Sequence, residues 1–262
     1  MGTLHARGFT IVETMLFLGI SGLLIVAMLA STGVTINIQR YRDAVETFKS
    51  TLQNQYAELS SVQNERNNNW TCNALAESVI GGTEIRGQSD CVLLGRYLTV
   101  VDNEISINSV LGKPVAALST DGTDIDNLLH DYTMNISTVL ENKSTLEWDT
   151  RIAWPKSGAG SRTPTTPRSL AVLFIRSPHS GQIYTFTSDS VPNEVTPQSL
   201  ADMLITTPTV PGQSGRTICI DSNGLFVTAD FSVYLNPYAT GPTSVETRSN
   251  DFVQSIGGDT RC

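Results

Sequence analysis

A chain of 262 residues, 40% of them hydrophobic, can bury a core as one large or two small domains, and this excludes a disordered chain. With 17 Lys and Arg against 25 Asp and Glu the net charge is -8, the wrong sign for a surface that neutralises phosphates, so nucleic acid is not an expected partner. Four cysteines (Cys72, Cys91, Cys219, Cys262), no C-x-x-C pair and three scattered histidines (His5, His130, His179) provide no metal-ligand spacing.

The first predicted element is a helix. From Phe9 to Gln39 the only charged side chain is Glu13, and Phe9 to Ile38 would extend ~45 Å as a helix, more than the ~20 apolar residues that a bilayer requires. A secretory signal peptide accounts for the basic start at His5 and Arg7, but the apolar run has no small-x-small exit and Glu13 interrupts it. An ordinary membrane anchor accounts for the length and leaves Glu13 unexplained, because a charge in hydrocarbon costs ~2.5–3.5 kcal/mol at a helix centre.

The stretch Arg7-Gly8-Phe9-Thr10-Ile11-Val12-Glu13 closely resembles the processing site of type IV prepilins and type II secretion pseudopilins: a short basic leader ending in Gly, then Phe, with Glu fifth in the mature chain. The resemblance implies that a membrane prepilin peptidase cuts between Gly8 and Phe9, and that the new Phe9 amine is N-methylated. It further implies assembly on an inner-membrane platform. An α-amine is protonated at neutral pH, and by the same resemblance Glu13 pairs with the amine of a neighbouring subunit, so that two groups costly in lipid satisfy each other. The competing account of Glu13 is a carboxylate snorkelling at the headgroups near a helix N-terminus. The match departs from many major pilins, which carry a Gly and then a Pro about eight residues later. Gly22 fits the first position and Ala30 occupies the second, so no proline kink is expected, while Gly19, Gly22 and Gly33 each weaken the helix by ~1 kcal/mol relative to Ala.

After Gln39 the helical pattern becomes one-sided. Tyr41, Val45, Phe48, Leu52, Tyr56, Leu59 and Val62 recur at spacings of three and four, with charged residues elsewhere on the wheel. The combined helix is predicted from Phe9 to Arg66, on the order of 85 Å long, and ends at Asn67-Asn68-Asn69. Its apolar stripe should lie against the sheet of a head.

From Trp70 onward helix signals fade and strands are predicted: Val92-Leu94, Tyr97-Val101, Ile105-Val110, Tyr132-Leu140, Ser169-Ile175, Gln182-Thr187, Thr217-Ile220 and Leu225-Leu235. Ser180-Gly181 and Ser222-Asn223-Gly224 read as hairpin turns, so the sheet should be largely antiparallel. Pro155-Arg168 and Pro208-Arg216 are rich in Pro, Gly, Ser and Thr and read as exposed loops.

Four cysteines permit three disulfide connectivities. Proximity, together with the habit of the pilin families of tying down the C-terminal region, favours Cys72 with Cys91 and Cys219 with Cys262. Bridges of this kind imply an oxidising, extracytoplasmic compartment.

No nucleophile motif, phosphate loop, H-E-x-x-H or dinucleotide fingerprint is present. His130 and His179 stand beside turns and are read as solvent-exposed side chains. Asp121, Asp124 and Asp126 put three carboxylates in six residues, a weak calcium candidate without EF-hand spacing. Otherwise no cofactor is expected. Asn69, Asn135 and Asn142 head N-x-[ST] triplets, a pattern common by chance.

The expected fold class is α+β: residues 1–8 a leader, 9–38 a transmembrane and filament-core helix, 39–69 its amphipathic continuation, and 70–262 an extracytoplasmic β-rich head. The expected function is structural, as a minor pilin that sits in the cytoplasmic membrane among lipids, with the head outside, and then enters a cell-surface filament with other pilin subunits. Thr217-Gly224 faintly resembles the C-terminal part of minor pseudopilins, which leaves a secretion or DNA-uptake pseudopilin as the alternative. A single-span anchored surface enzyme or binding protein is the alternative of another class.

Overall fold

The computed structural model describes residues 10–61, 70–81, 88–115, 122–156, 166–206, 215–225, 230–236, 239–255 and 262. The chain enters on one helix, α1 (Ile11–Ser61), which runs 51 residues, about 77 Å, without a break. It is followed by β1 (Trp70–Cys72), β2 (Ser78–Ile80), β3 (Val92–Val101), β4 (Glu104–Pro114), α2 (Asp124–Asp131) and β5 (Tyr132–Thr145). A single 3-10 turn, Glu147–Asp149, leads to β6 (Arg151–Ala153), then β7 (Leu170–Arg176), β8 (Ile183–Ser188), α3 (Pro197–Thr206), β9 (Arg216–Asp221) and β10 (Phe231–Leu235). A second 3-10 turn, Pro242–Ser244, precedes β11 (Val245–Ser249) and α4 (Asn250–Ser255).

The strands form a five-stranded sheet in the order β5-β4-β3-β7-β8, a four-stranded sheet in the order β11-β10-β9-β6, and the small β1-β2 pair. Every pairing among the described residues is antiparallel. The fold is α+β, as the alternating strand signals and the single long helix predict.

One core holds the two larger sheets to α1. Tyr41, Val45, Phe48, Leu52, Tyr56 and Leu59 of the predicted stripe are each at most 2% exposed, while its last member, Val62, and the predicted helix end at Arg66 lie outside the described residues. They pack with Leu98, Val100, Val172 and Phe174 of the five-stranded sheet and with Ile218, Ile220, Val233 and Leu235 of the four-stranded sheet. Polar ends of the stripe tie the layers: the Tyr56 hydroxyl lies 2.8 Å from Thr185 Oγ1, which donates to the Ala239 carbonyl at 2.6 Å. The Tyr56 ring meets Phe174 edge-on at 4.9 Å. Burial pushes the Tyr56 phenol well above its ordinary range.

A second core lies on the opposite face of the five-stranded sheet, where Leu94, Tyr97, Leu173 and Ile175 pack with Leu128 of α2 and Leu200, Met203 and Leu204 of α3. Helix α3 touches both β5 and β8, the two edges of that sheet, so it lies across the face. This explains why β7 reads Leu170-Ala171-Val172-Leu173-Phe174-Ile175 with no polar alternation. Val172 and Phe174 face α1, and Ala171, Leu173 and Ile175 face the second layer.

The head therefore carries helices that the fading signal after Trp70 does not predict, and this is a correction. Helix α2 starts at a capping box, in which Thr123 Oγ1 accepts from the Asp126 N–H and the Asp126 side chain accepts from the Thr123 N–H. Helix α3 begins at Pro197 behind Thr196, whose Oγ1 accepts from the Ser199 N–H. Predicted strand boundaries also shift, with β4 and β5 running past the predicted ends at Val110 and Leu140 to Pro114 and Thr145. Val92-Leu94 and Tyr97-Val101 form one strand with an irregularity between Leu93 and Gly95, and of the predicted Leu225-Leu235 strand Phe231–Leu235 is strand, Leu225 and Asp230 are not, and 226–229 lie outside the described residues. Gly95 belongs at that irregularity because a Cβ there would lie 2.2 Å from the Phe174 carbonyl oxygen.

A polar clamp joins the sheets at the strand ends. Asp189, just after β8, receives the guanidinium of Arg168 and that of Arg216, and Arg168 Nη1 also donates to the Thr217 carbonyl at 3.2 Å. The Arg168 guanidinium stands 5.1 Å over the Trp154 ring. Burial would raise the Asp189 carboxyl, but the two arginine bonds outweigh it and hold the group below its ordinary value.

Candidate functional site: the unburied half of the helix and its exit from the head

At the start of α1, Thr10 Oγ1 accepts from the Glu13 N–H at 3.3 Å, and the Thr10 carbonyl accepts from the Thr14 N–H at 3.1 Å. Glu13 thus sits in the first turn of the helix, where the macrodipole favours a carboxylate, with its side chain exposed. Gly8 and Phe9, the predicted processing pair, lie outside the described residues.

The next five turns present apolar side chains on every face, and none of the most apolar stretch is buried. Phe17 is 70% exposed and Leu29 67%. The helix is long and apolar enough to cross a membrane. Four of its hydroxyls turn back onto the helix: Thr14 donates to the Ile11 carbonyl at 2.9 Å, Ser31 to Met28 at 3.0 Å, Thr32 to Leu29 at 2.9 Å and Thr35 to Ser31 at 3.0 Å. The protons of these four hydroxyls are therefore satisfied without water, as suits a helix that faces lipid. The apolar composition of the stretch hides these hydroxyls, although their spacing from helical carbonyls is readable from the sequence alone.

Burial begins partway along the helix, with Val34, Asn37 and Ile38 partly covered and Tyr41 fully so. Arg40 is the first charge after Glu13, and 27 residues of helix place the two about 40 Å apart. A bilayer with its headgroup layers measures about 40–45 Å. At the exit, the Arg40 guanidinium lies 4.6 Å from the centre of the Trp148 ring and that of Arg42 lies 5.3 Å from the centre of Phe231. The Tyr41 hydroxyl donates to the Ile220 carbonyl at 2.7 Å and accepts from the Phe231 N–H at 3.0 Å.

The aspartates predicted as calcium candidates are engaged otherwise. Asp126 serves the α2 cap, and its bonds with the Thr123 hydroxyl and backbone hold its carboxyl below the ordinary value. Asp124 accepts from the hydroxyls of Ser180 and Tyr184, joining α2 to the β7-β8 hairpin. The Ser180 bond is the chief cause of its lowered carboxyl. Tyr184 is pushed up to about 12, by burial first and then by the Asp124 carboxylate. Asp121 lies outside the described residues. Among the described residues no group of three or more His, Cys, Asp and Glu side chains is placed to hold a metal ion.

His130 is on α2, its Nδ1 3.1 Å from the Asp126 carbonyl oxygen. His179 lies in the β7-β8 turn with Nε2 3.5 Å from a carboxylate oxygen of the buried Asp131. Asn135 is 6% exposed and its Nδ2 donates to Glu77 at 3.3 Å, so the triplet it heads is closed to modification in the folded head.

The cysteines are bridged Cys72–Cys91 and Cys219–Cys262, with Cα atoms 5.8 Å and 5.4 Å apart. The first bridge ties β1 to the start of β3, and the second ties residue 262 to the centre of β9. The Cys262 N–H also donates to Asn250 Oδ1 at 2.8 Å.

No family model, curated protein or solved structure matches the chain.

Proposed function

We propose that this chain is a filament subunit of the type IV pilin class, a minor pilin stored in the cytoplasmic membrane through α1 with its head outside. The observation that carries the proposal is the division of one continuous helix. The half after Arg40 presents a stripe buried against two sheets, whereas the most apolar stretch before it is buried by none of the described residues.

An apolar helix face gains little hydrophobic energy on moving from lipid to other helices, because lipid tails are as apolar as leucine. The same surface therefore serves storage and assembly, and exchange between them stays reversible. Direction and register must come from the groups that lipid does not satisfy, of which Glu13 is the only charge in the stretch. Pairing it with the Phe9 amine of an adjacent copy would stabilise the assembled state over the stored one.

The proposal is tested by the mass of the mature chain, which should begin at a methylated Phe9. Gly8→Val should block cleavage and leave the heavier form in the membrane. Sheared filaments whose subunits retain residue 1 would end the reading.

A further inference from the structure

We propose that the base of the head is a membrane-seating surface, in which Trp148, braced by Arg40, enters the lipid interface from which α1 emerges. This rests on reading α1 as a membrane-spanning helix.

Trp148 sits on the 3-10 turn Glu147–Asp149, which packs beside α1 where the helix leaves the head, and it is 48% exposed. Its backbone is in the left-handed region, with φ 58° at Trp148 and φ 55° at Asp149. Bulky residues rarely adopt that conformation, and it persists only where its surroundings enforce it. Here they do so from several directions. Asn223 Nδ2 donates to both the Asp149 carbonyl and its carboxylate (3.0 and 2.9 Å), Asn103 Nδ2 donates to the same carboxylate (3.2 Å), and Thr150 Oγ1 donates to the Glu147 carbonyl (2.9 Å). The head thus holds a strained turn whose result is an indole directed outward at the level of the first charge above the apolar helix.

An indole is apolar over its face and carries one N–H, which suits the boundary between acyl chains and headgroups. Arg40 covers the ring while its guanidinium keeps donors for lipid phosphate. Arg42, two residues on and so about 200° around the helix, makes the matching pair with Phe231 on the other flank. The span of about 40 Å from Glu13 to Arg40 puts this collar at the far headgroup layer when Glu13 occupies the near one. The exposed carboxylates of Asp43, Glu147 and Asp149 share the base, so its charge is mixed. The partner is therefore the interface of a phospholipid bilayer as such, and an anionic surface is not required.

The experiment uses the full-length chain in phosphatidylcholine vesicles and takes the emission of the wild type minus that of Trp148→Phe, which isolates Trp148 from Trp70 and Trp154. Alkaline extraction of the same vesicles reports whether α1 is inserted. The expected result is alkali-resistant protein in which the Trp148 emission is quenched several-fold more by lipid brominated near the headgroup end than by lipid brominated at the chain ends. That emission should be shielded from acrylamide and unchanged when phosphatidylglycerol is added. Arg40→Gln, which keeps the indole and removes its brace, should increase acrylamide quenching. Alkali-resistant protein whose Trp148 emission remains open to acrylamide and insensitive to bromine would overturn the seating surface and leave the spanning helix intact. Emission that changes only with the protein-to-lipid ratio would overturn it in favour of contact between copies. Alkali-extractable protein would overturn the spanning helix, and the seating surface with it.

Discussion

The hydroxyl of Tyr41 donates to the carbonyl of Ile220 at 2.7 Å, at the first fully buried residue of α1. The same oxygen accepts from the Phe231 N–H, so one phenol serves β9 and β10 at once. Tyr41→Phe keeps the ring and deletes that service, leaving two buried backbone groups without it. The expected loss is about 1–3 kcal/mol in urea denaturation of the full chain in detergent micelles. A loss below about 0.5 kcal/mol would mean that water replaces the hydroxyl at no cost.

The helix and its stripe are legible in the sequence because both follow a single period over many residues. Tyr41 to Leu59 recur at helical spacing and are all buried. Helices α2 and α3 are harder to read because each is short and its apolar residues, such as Leu128, Leu200 and Leu204, acquire their role only against a sheet assembled from distant strands. The Thr123-x-x-Asp126 box and Thr196-Pro197 were local signals of both helices, masked by the strand-rich context. The left-handed turn at Trp148 had no such signal. Asn103 and Asn223 enforce it from across the fold, with Thr150 closing the turn locally, and no residue-level preference announces it. The Asp189 clamp was hidden for the same reason, since Arg168 and Arg216 lie 21 and 27 residues away.

The two disulfides differ in what they hold. In the chain-entropy treatment, closures of 19 and 43 residues restrain the unfolded chain by about 3 and 4 kcal/mol respectively. Cys262 is 1% exposed and packs with Ala153 and Cys219, so losing its bridge also opens a buried contact. Cys262→Ser should therefore lower the melting temperature more than Cys91→Ser. Thiol titration of exported, denatured protein should find no free thiol in the wild type. Four titratable thiols in that protein, or the reverse order of melting temperatures, would contradict this account.

Acid should weaken the clamp at Asp189. Its carboxyl is held below the ordinary value in the folded head, so the unfolded chain takes up the proton first as pH falls. The clamp's contribution is present above the unfolded value of about 4 and is lost as pH falls through the lower, folded one. Asp189→Asn should accordingly destabilise the protein at neutral pH, by on the order of 3 kcal/mol or less because the carboxylate is partly solvated. The difference between variant and wild type should shrink on acidification through that range. A constant difference across the titration would assign the effect to lost packing.

Glu13 distinguishes an anchor from a building block. Its exposed carboxylate near the start of α1 reduces the stability of the helix in lipid, by about 2.5 kcal/mol or less when it lies close to the interface. Glu13→Leu removes that penalty, so membrane insertion should be undiminished. In the proposed filament the same change would strip the neighbouring Phe9 amine of its counter-charge and leave it buried alone, which would cost more than the carboxylate cost in the monomer. Incorporation into sheared filaments should then be lost or strongly reduced, while cleavage proceeds because Glu13 lies beyond the Gly8–Phe9 bond. The measurement compares filament and membrane fractions of wild type and variant in the same cells. Equal incorporation of the Leu variant would make Glu13 a tolerated headgroup acid, and register in the filament would have to come from the heads.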